Sequence, residues 1–98
     1  MLRRPESFLA IEHVIHEEVL GCESIAFDEH AVERMNERKV TVDQVVKVLK
    51  HPDETGLPAD YSRERYRKNF DNGVKIDVVF ERDPTQIVVI TVVQRKGR

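Results

Sequence analysis

The fold is decided by residues 27–52, which read FDEHAVERMNERKVTVDQVVKVLKHP. Asp28 is a good N-cap residue, because its carboxylate can accept a hydrogen bond from a free N–H of the first helical turn. Glu29 follows it, at the helix end where the dipole favours negative charge. The stretch therefore predicts a first helix over residues 29–38.

A second helix follows directly. Thr41 and Gln44 have the spacing of a capping box, in which each side chain bonds the other residue's backbone N–H. Pro52 marks the end of the helix, because a proline disfavours helical conformation in the residue before it. The apolar side chains between these signals recur at helical spacing and predict one buried stripe, made of Val42, Val45, Val46 and Leu49.

The chain before this stretch also has apolar residues at helical spacing. Steps of three and four separate Phe8, Ile11, Val14, Ile15 and Val19. We therefore predict an amphipathic helix over residues 7–20 and a short strand over 25–27. In this interpretation residues 1–22 are a helical extension in front of a main domain at residues 23–98.

The chain after the two helices has the pattern of β-structure. Residues 61–70 alternate in side-chain character, and Asn72-Gly73 fits a two-residue hairpin turn that leads into a strand over 74–80. The run over 86–93 is apolar on both faces, which is typical of a central strand. The predicted fold class is α+β, with N-terminal helices packed on a C-terminal antiparallel β-meander.

The composition indicates one globular domain in a reducing compartment. The chain has 98 residues, of which 40% are hydrophobic and 35% charged, which is enough for one modest core. Its single cysteine, Cys22, cannot form an intramolecular disulfide. No apolar run reaches the length needed to cross a bilayer, so we expect a cytoplasmic protein without membrane contact.

The charge is divided unevenly along the chain. The net charge of −2 argues against a general nucleic-acid coat. Residues 1–60 carry seven Lys/Arg against thirteen Asp/Glu, a balance of −6, whereas residues 61–98 carry nine against five, a balance of +4. The back half is therefore the part of the chain that could face a polyanion.

Two groups of cationic residues suggest phosphate chemistry. His30, Arg34 and Arg38 recur every four residues, so they form one polar stripe along the first helix. A titratable imidazole next to two permanent cations suits a phosphate ester, but a solvated helix face has the same pattern. Arg63, Arg65 and Arg67 share one side of their strand and could complete a cationic cleft, although charges on an edge strand also prevent aggregation.

The sequence gives little support for a metal or a cofactor. His13 and His16 have a spacing that can chelate, but no third ligand has a defined position relative to them. No glycine-rich phosphate loop, nucleophile elbow or HExxH motif is present. We therefore expect neither.

The residues of the two-helix stretch resemble DUF4258, a bacterial family of unassigned function. This resemblance covers roughly residues 24–94, and that family is similar to the RelE- and BrnT-type toxins, whose compact fold is shared with other metal-independent ribonucleases. It implies an RNA-cleaving domain that uses no metal. The matching elements are the motif FDEHA-x-x-RM-x-x-R-x-VT from Phe27, the apolar second helix with His51-Pro52, Arg65-Tyr66, and the closing run IVVITV.

The resemblance and the residue chemistry together suggest a candidate site. Metal-independent RNA cleavage needs a base for the 2′-hydroxyl, cations for the charge on the phosphorane and an acid for the leaving oxygen. We assign catalytic roles to His30, Arg34, Arg38 and Arg65. We assign RNA contacts to Arg63, Tyr66, Arg67, Lys68 and Lys75.

Two functions follow as hypotheses. The first is a toxin-type RelE-like ribonuclease, with RNA and a small antitoxin protein as partners. The second is a non-catalytic module of the same fold that docks a protein partner or RNA. An active ribonuclease should hold His30 and at least one back-half arginine around a common cleft, whereas a binding module need not. The apolar face of the helix over 7–20 either covers the sheet or forms a homodimer.

Overall fold

Two α-helices and one mixed sheet of five strands form the part of the protein that the structure describes. The computed structural model describes residues 11–96, apart from the side chain of Asn72. No helix in this part of the chain is long and apolar enough to span a membrane. In chain order the elements are β1 (Ile11–Ile15), β2 (Ser24–Asp28), α1 (Glu29–Arg38), α2 (Val42–Lys50), β3 (Glu64–Phe70), β4 (Val74–Arg82) and β5 (Gln86–Lys96).

Both predicted helices are confirmed, together with the residues that start them. The Asp28 carboxylate accepts a hydrogen bond from the backbone N–H of His30 at 3.0 Å. At the second helix, Thr41 Oγ1 accepts from the Gln44 N–H at 3.1 Å, and Gln44 Oε1 accepts from the Thr41 N–H at 2.9 Å. Lys39 adopts a left-handed conformation between the helices, with φ of 57°, so the chain turns sharply there.

The sheet has the order β1-β2-β5-β4-β3, so β5 is central, as its sequence predicted. β5 runs parallel to β2 and antiparallel to β4, and β4 is antiparallel to β3. The α+β class is confirmed, but strands lie at both ends of the described chain and not only after the helices.

The helix predicted over residues 7–20 is wrong from Ile11 onward, and residues 7–10 lie outside the described residues. Residues 11–15 form β1, which pairs antiparallel with β2 and has a β-bulge between Ile11 and His13. The bulge places Ile11 and Val14 on one face of the sheet although they are three positions apart, an odd number that would otherwise put them on opposite faces. Their spacing therefore imitates a helix, and the predicted boundary after residue 22 falls between two neighbouring strands of one sheet.

The turn between β3 and β4 also differs from the prediction. Phe70 pairs with Val74, so three residues close the hairpin, in a short 3-10 turn at Asp71–Gly73. Gly73 has a φ of 72°, which fits a three-residue hairpin that ends in a left-handed glycine. The additional residue moves the pairing of β3 and β4 by one position relative to a two-residue turn.

The two faces of the sheet differ in what they pack against. We call the side that carries α1 and α2 the helix face, and the other side the opposite face. α1 packs mainly on β5, and α2 packs on β3 and β4. The opposite face has a smaller apolar cluster of Ala26, Val88 and Ile90. The main core lies on the helix face and includes Phe27, Ala31, Met35, Val45, Val48, Leu49, Tyr66, Ile76, Val78, Phe80, Ile87, Val89 and Val92.

Candidate functional site

The α1 stripe, His30, Arg34 and Arg38, lies along the flank of α1, between its buried and its exposed side. Ala31 and Met35 are the buried residues of this helix, which fixes its orientation on the sheet. The stripe residues keep between 31% and 49% of their side chains exposed. A ligand could therefore reach part of each side chain, although Nη1 of Arg38 is itself buried and makes no hydrogen bond within the described residues.

Each cation of the α1 stripe has a carboxylate nearby on the same helix. Arg34 Nη1 donates to Glu37 Oε1 at 3.0 Å, and Arg38 Nη1 lies 3.6 Å from the same oxygen. His30 Nδ1 lies 3.9 Å from Glu33 Oε1. These carboxylates reduce the positive potential of the stripe, so its attraction for a polyanion is weak.

The second cationic group, which we call the β3 arginine row, consists of Arg65 and Arg67 in β3 and of Arg63, which lies directly before this strand. These side chains bond two buried carboxylates of β4. Arg65 Nε donates to Asp77 Oδ2 at 2.7 Å, and Arg67 donates from Nε to Oδ1 at 2.7 Å and from Nη2 to Oδ2 at 3.0 Å. Arg63 Nε donates to Glu81 Oε2 at 3.2 Å. The row is thus the cationic half of an ion-pair network within the protein.

Asp77 is fully buried, and its carboxylate accepts hydrogen bonds from two arginines. Burial from water raises the pKa of its carboxyl group, but the hydrogen bonds from Arg67 and Arg65 outweigh that effect, so the pKa lies below its usual value. The hydrogen bond to Asp77 in turn raises the pKa of Arg67. These groups are therefore ionised at neutral pH and already have partners.

The sheet separates the two cationic groups. Arg65 lies opposite Val79 and Arg67 opposite Asp77, whereas Tyr66 lies opposite Val78 of the main core. Because cross-strand neighbours share a face, the β3 arginine row lies on the opposite face, while the α1 stripe lies with the helices. The predicted catalytic set of His30, Arg34, Arg38 and Arg65 is therefore not gathered around one cleft.

The remaining predicted RNA contacts are also dispersed. Tyr66 is buried, packs edge-on against Phe80 with ring centroids 4.9 Å apart, and its hydroxyl accepts from Arg82 Nη2 at 3.0 Å. Lys68 Nζ donates to the backbone oxygen of His51 at 2.9 Å. Lys75 pairs with Asn69 and Arg95 across the sheet, on the same face as Asp77.

The pair between Arg82 and Glu64 is not apparent from the sequence. Arg82 Nε donates to Glu64 Oε2 at 2.6 Å and Nη2 donates to Oε1 at 3.0 Å. This bidentate bond is the main reason that the pKa of Arg82 is raised. The pair joins two neighbouring strands, and the hairpin register is the signal that could have shown it.

A groove between β1, α1 and the start of α2 was also missed. It has a volume of about 560 Å³, and we call it the β1–α1 groove. The His13 ring lies beside the buried Phe27 ring, with centroids 5.8 Å apart. Sequence analysis could not place this groove, because it exists only when residues 11–15 form a strand next to α1. Its lining combines apolar Phe27, Val32, Met35, Val40 and Val42 with polar Glu12, His13, Asn36, Lys39 and Thr41.

A second cavity of about 340 Å³ lies beside the β3 arginine row, with Val79, Thr91 and the segment 58–60 in its lining. Its two arginines, Arg63 and Arg65, already bond Glu81 and Asp77. Within residues 11–96, no three His, Cys, Asp or Glu side chains converge as metal ligands would. Cys22 is buried, and its thiol lies 3.5 Å from the Asp83 backbone oxygen.

Comparison with known proteins gives a family but no described activity. The family model for a domain of unknown function, DUF4258, matches residues 27–94. No curated protein and no solved structure matches the chain. The match covers both helices and the β3–β4–β5 meander, and begins within β2. The chain thus belongs to the DUF4258 family.

Proposed function

We propose that this protein is a non-catalytic binding module, and that it docks a small protein partner in the β1–α1 groove. The observation that carries the proposal is the groove itself, which has an apolar floor and a polar rim. Sites that bind a partner's side chains commonly combine apolar walls with a few polar groups that set orientation. Its volume of about 560 Å³ suffices for more than one side chain.

The charged residues support binding over catalysis. The arginines of the β3 row are bonded to Asp77 and Glu81, and the sheet lies between them and His30. Moving a guanidinium out of such a buried pair would leave a carboxylate without its partner, which costs several kcal/mol. These residues therefore stabilise the fold, and the groove is left as the binding surface.

The apolar floor supplies the affinity. Val32 and Val42 are partly buried and line the groove. A partner side chain that packs against them would bury the apolar surface that they still expose. Burying one leucine-sized side chain contributes about 1.5–3 kcal/mol. Two or three such side chains, with backbone hydrogen bonds at the rim, would give a specific complex.

Asn36→Arg tests the groove. Asn36 is exposed on α1 and borders the groove, so a longer side chain there obstructs it without disturbing the core. Peptides selected from a phage-displayed random library on the wild type should be rich in apolar residues, and Asn36→Arg should bind them at least tenfold more weakly. Asn69→Arg on β3 is the matched control, because Asn69 is also exposed and lies outside the groove. Equal binding by wild type and Asn36→Arg would contradict the proposal.

A second candidate is the RelE- or BrnT-type ribonuclease, acting on RNA in the cytoplasm. Its support is the α1 stripe, where a half-exposed His30 lies one and two turns before Arg34 and Arg38. An imidazole can pass a proton to or from a phosphodiester while neighbouring guanidinium groups stabilise the developing charge. Cleavage of RNA by the wild type in the presence of a chelator, abolished in His30→Ala, would favour this candidate over the groove.

A further inference from the structure

The two edges of the sheet differ in whether another segment of the described chain pairs with them. At the β3 edge, Asp53 and Glu54 donate their N–H groups to the Arg67 oxygen at 2.8 and 3.0 Å, and Arg67 N–H donates to the Glu54 oxygen at 2.9 Å. The segment after α2 thus covers that edge. At the other edge, no strand among residues 11–96 pairs with the outer side of β1. An open edge offers backbone donors and acceptors to another chain.

β1 also exposes apolar side chains. Ile11 is 44% and Val14 40% exposed, and with Tyr61 they are the large apolar side chains most open to water in the described chain. The bulge places both on the opposite face of the sheet, across from Asp28 and Ala26 of β2. Two neighbouring apolar side chains on an open edge are typical of a surface that pairs with a partner.

The order of residues in β1 identifies the partner. Ile11-Glu12-His13-Val14 reads apolar, acidic, basic, apolar. When two copies of this segment lie antiparallel with the two-fold axis between Glu12 and His13, Ile11 of one copy lies across from Val14 of the other. In the same register Glu12 of one copy lies across from His13 of the other. The segment is therefore complementary to itself in apolar contact and in hydrogen bonding, because a histidine ring N–H can donate to a carboxylate.

We propose that β1 pairs antiparallel with β1 of a second copy of this chain, in this register. The two five-stranded sheets then form one continuous sheet of ten strands, and a two-fold axis repeats every contact. The pairing goes beyond the docking function, because it uses the outer edge of β1 and leaves the apolar floor of the groove on the helix face. Only Glu12 and His13 both line the groove and take part in the pairing. Since β1 has five residues within the described range, the dimer is weak and depends on concentration.

Cysteine cross-linking tests both the partner and the register. Ile11→Cys and Val14→Cys each keep the buried Cys22, and the wild type is the control for that thiol. Under mild oxidation, a mixture of the two variants should form a disulfide dimer, whereas each variant alone should link several-fold less, because identical positions lie three residues out of register. Linking by Val14→Cys alone that equals the mixture, or no linking in any sample, would overturn the proposal.

Self-association gives an independent measurement. Sedimentation velocity from about 10 μM to about 1 mM should show a reversible shift towards dimer in the wild type. Ile11→Lys should remove that shift and keep the melting temperature, since Ile11 is 44% exposed and belongs to neither apolar cluster. Tyr61→Lys is the matched control, because it also removes an exposed apolar side chain but away from β1, and it should dimerise as the wild type does. A wild type that stays monomeric over this range would refute the pairing.

Discussion

The α1 stripe and the β3 arginine row carry similar cations at regular spacing, yet they have different surroundings. In the α1 stripe, Arg34 pairs with an exposed carboxylate on its own helix. In the β3 row, Arg65 and Arg67 converge on Asp77, which is fully buried on the neighbouring strand. Sequence spacing therefore shows which cations share a face. Whether such cations are available to a ligand or stabilise the fold depends on how deeply their carboxylate partners are buried.

The largest expected difference is in stability. Asp77→Asn removes the charge that Arg65 and Arg67 bond, and we expect the free energy of unfolding to fall by about 3 kcal/mol. Glu37→Gln makes the equivalent change beside the α1 stripe and should cost less than about 0.5 kcal/mol, because that pair is exposed. Urea denaturation of both variants measures the contrast. Equal losses would show that the β3 network does not stabilise the protein.

The Asp77 carboxylate should also make the free energy of unfolding depend on pH. The pKa of Asp77 is lower in the folded protein than its ordinary value of about 3.9. Its contribution is therefore present above about pH 4 and is lost as the pH falls through the folded pKa. The difference in unfolding free energy between wild type and Asp77→Asn should shrink from pH 7 to pH 3. A difference that stays constant over this range would contradict the ionised state of Asp77.

The smallest expected effect on stability is at His30. Its side chain is about half exposed, and the helix cap at this position uses its backbone N–H, not its imidazole. His30→Ala should therefore change the free energy of unfolding by less than about 0.5 kcal/mol. Thermal melts of wild type and variant provide the comparison. A drop of many degrees would make His30 a structural residue and would remove the α1 stripe from consideration as a site.

Where the signals are local, the sequence was sufficient to predict the structure. The caps Asp28 and Thr41 act on N–H groups two or three residues away, so they specify α1 and α2 without tertiary information. The central position of β5 follows from apolar residues on both of its faces. β1 could not be recognised, because its bulge gives Ile11 and Val14 a helical spacing.

The length of the turn between β3 and β4 explains why the carboxylate partners of the β3 arginine row could not be predicted from the sequence. With a two-residue turn at Asn72-Gly73, Arg67 would lie opposite Val78. The three-residue turn places it opposite Asp77, and Tyr66 opposite Val78 in the core. The alternation of β3 shows that the arginines share one face, but only the register identifies the carboxylates that they meet. The β1–α1 groove likewise depends on contacts between distant segments.

The most direct test of docking in the β1–α1 groove is to measure amide chemical-shift changes by NMR when two different ligands are added to the isotope-labelled protein. A groove-selected apolar peptide and a short single-stranded RNA are titrated separately into the wild type. We predict that the peptide shifts the amides of Asn36 and Lys39 at the β1–α1 groove, and that the RNA causes only weak, salt-sensitive shifts. Groove docking would be contradicted if RNA strongly shifted the amides from His30 to Arg38 while the peptide left the amides of the groove unshifted.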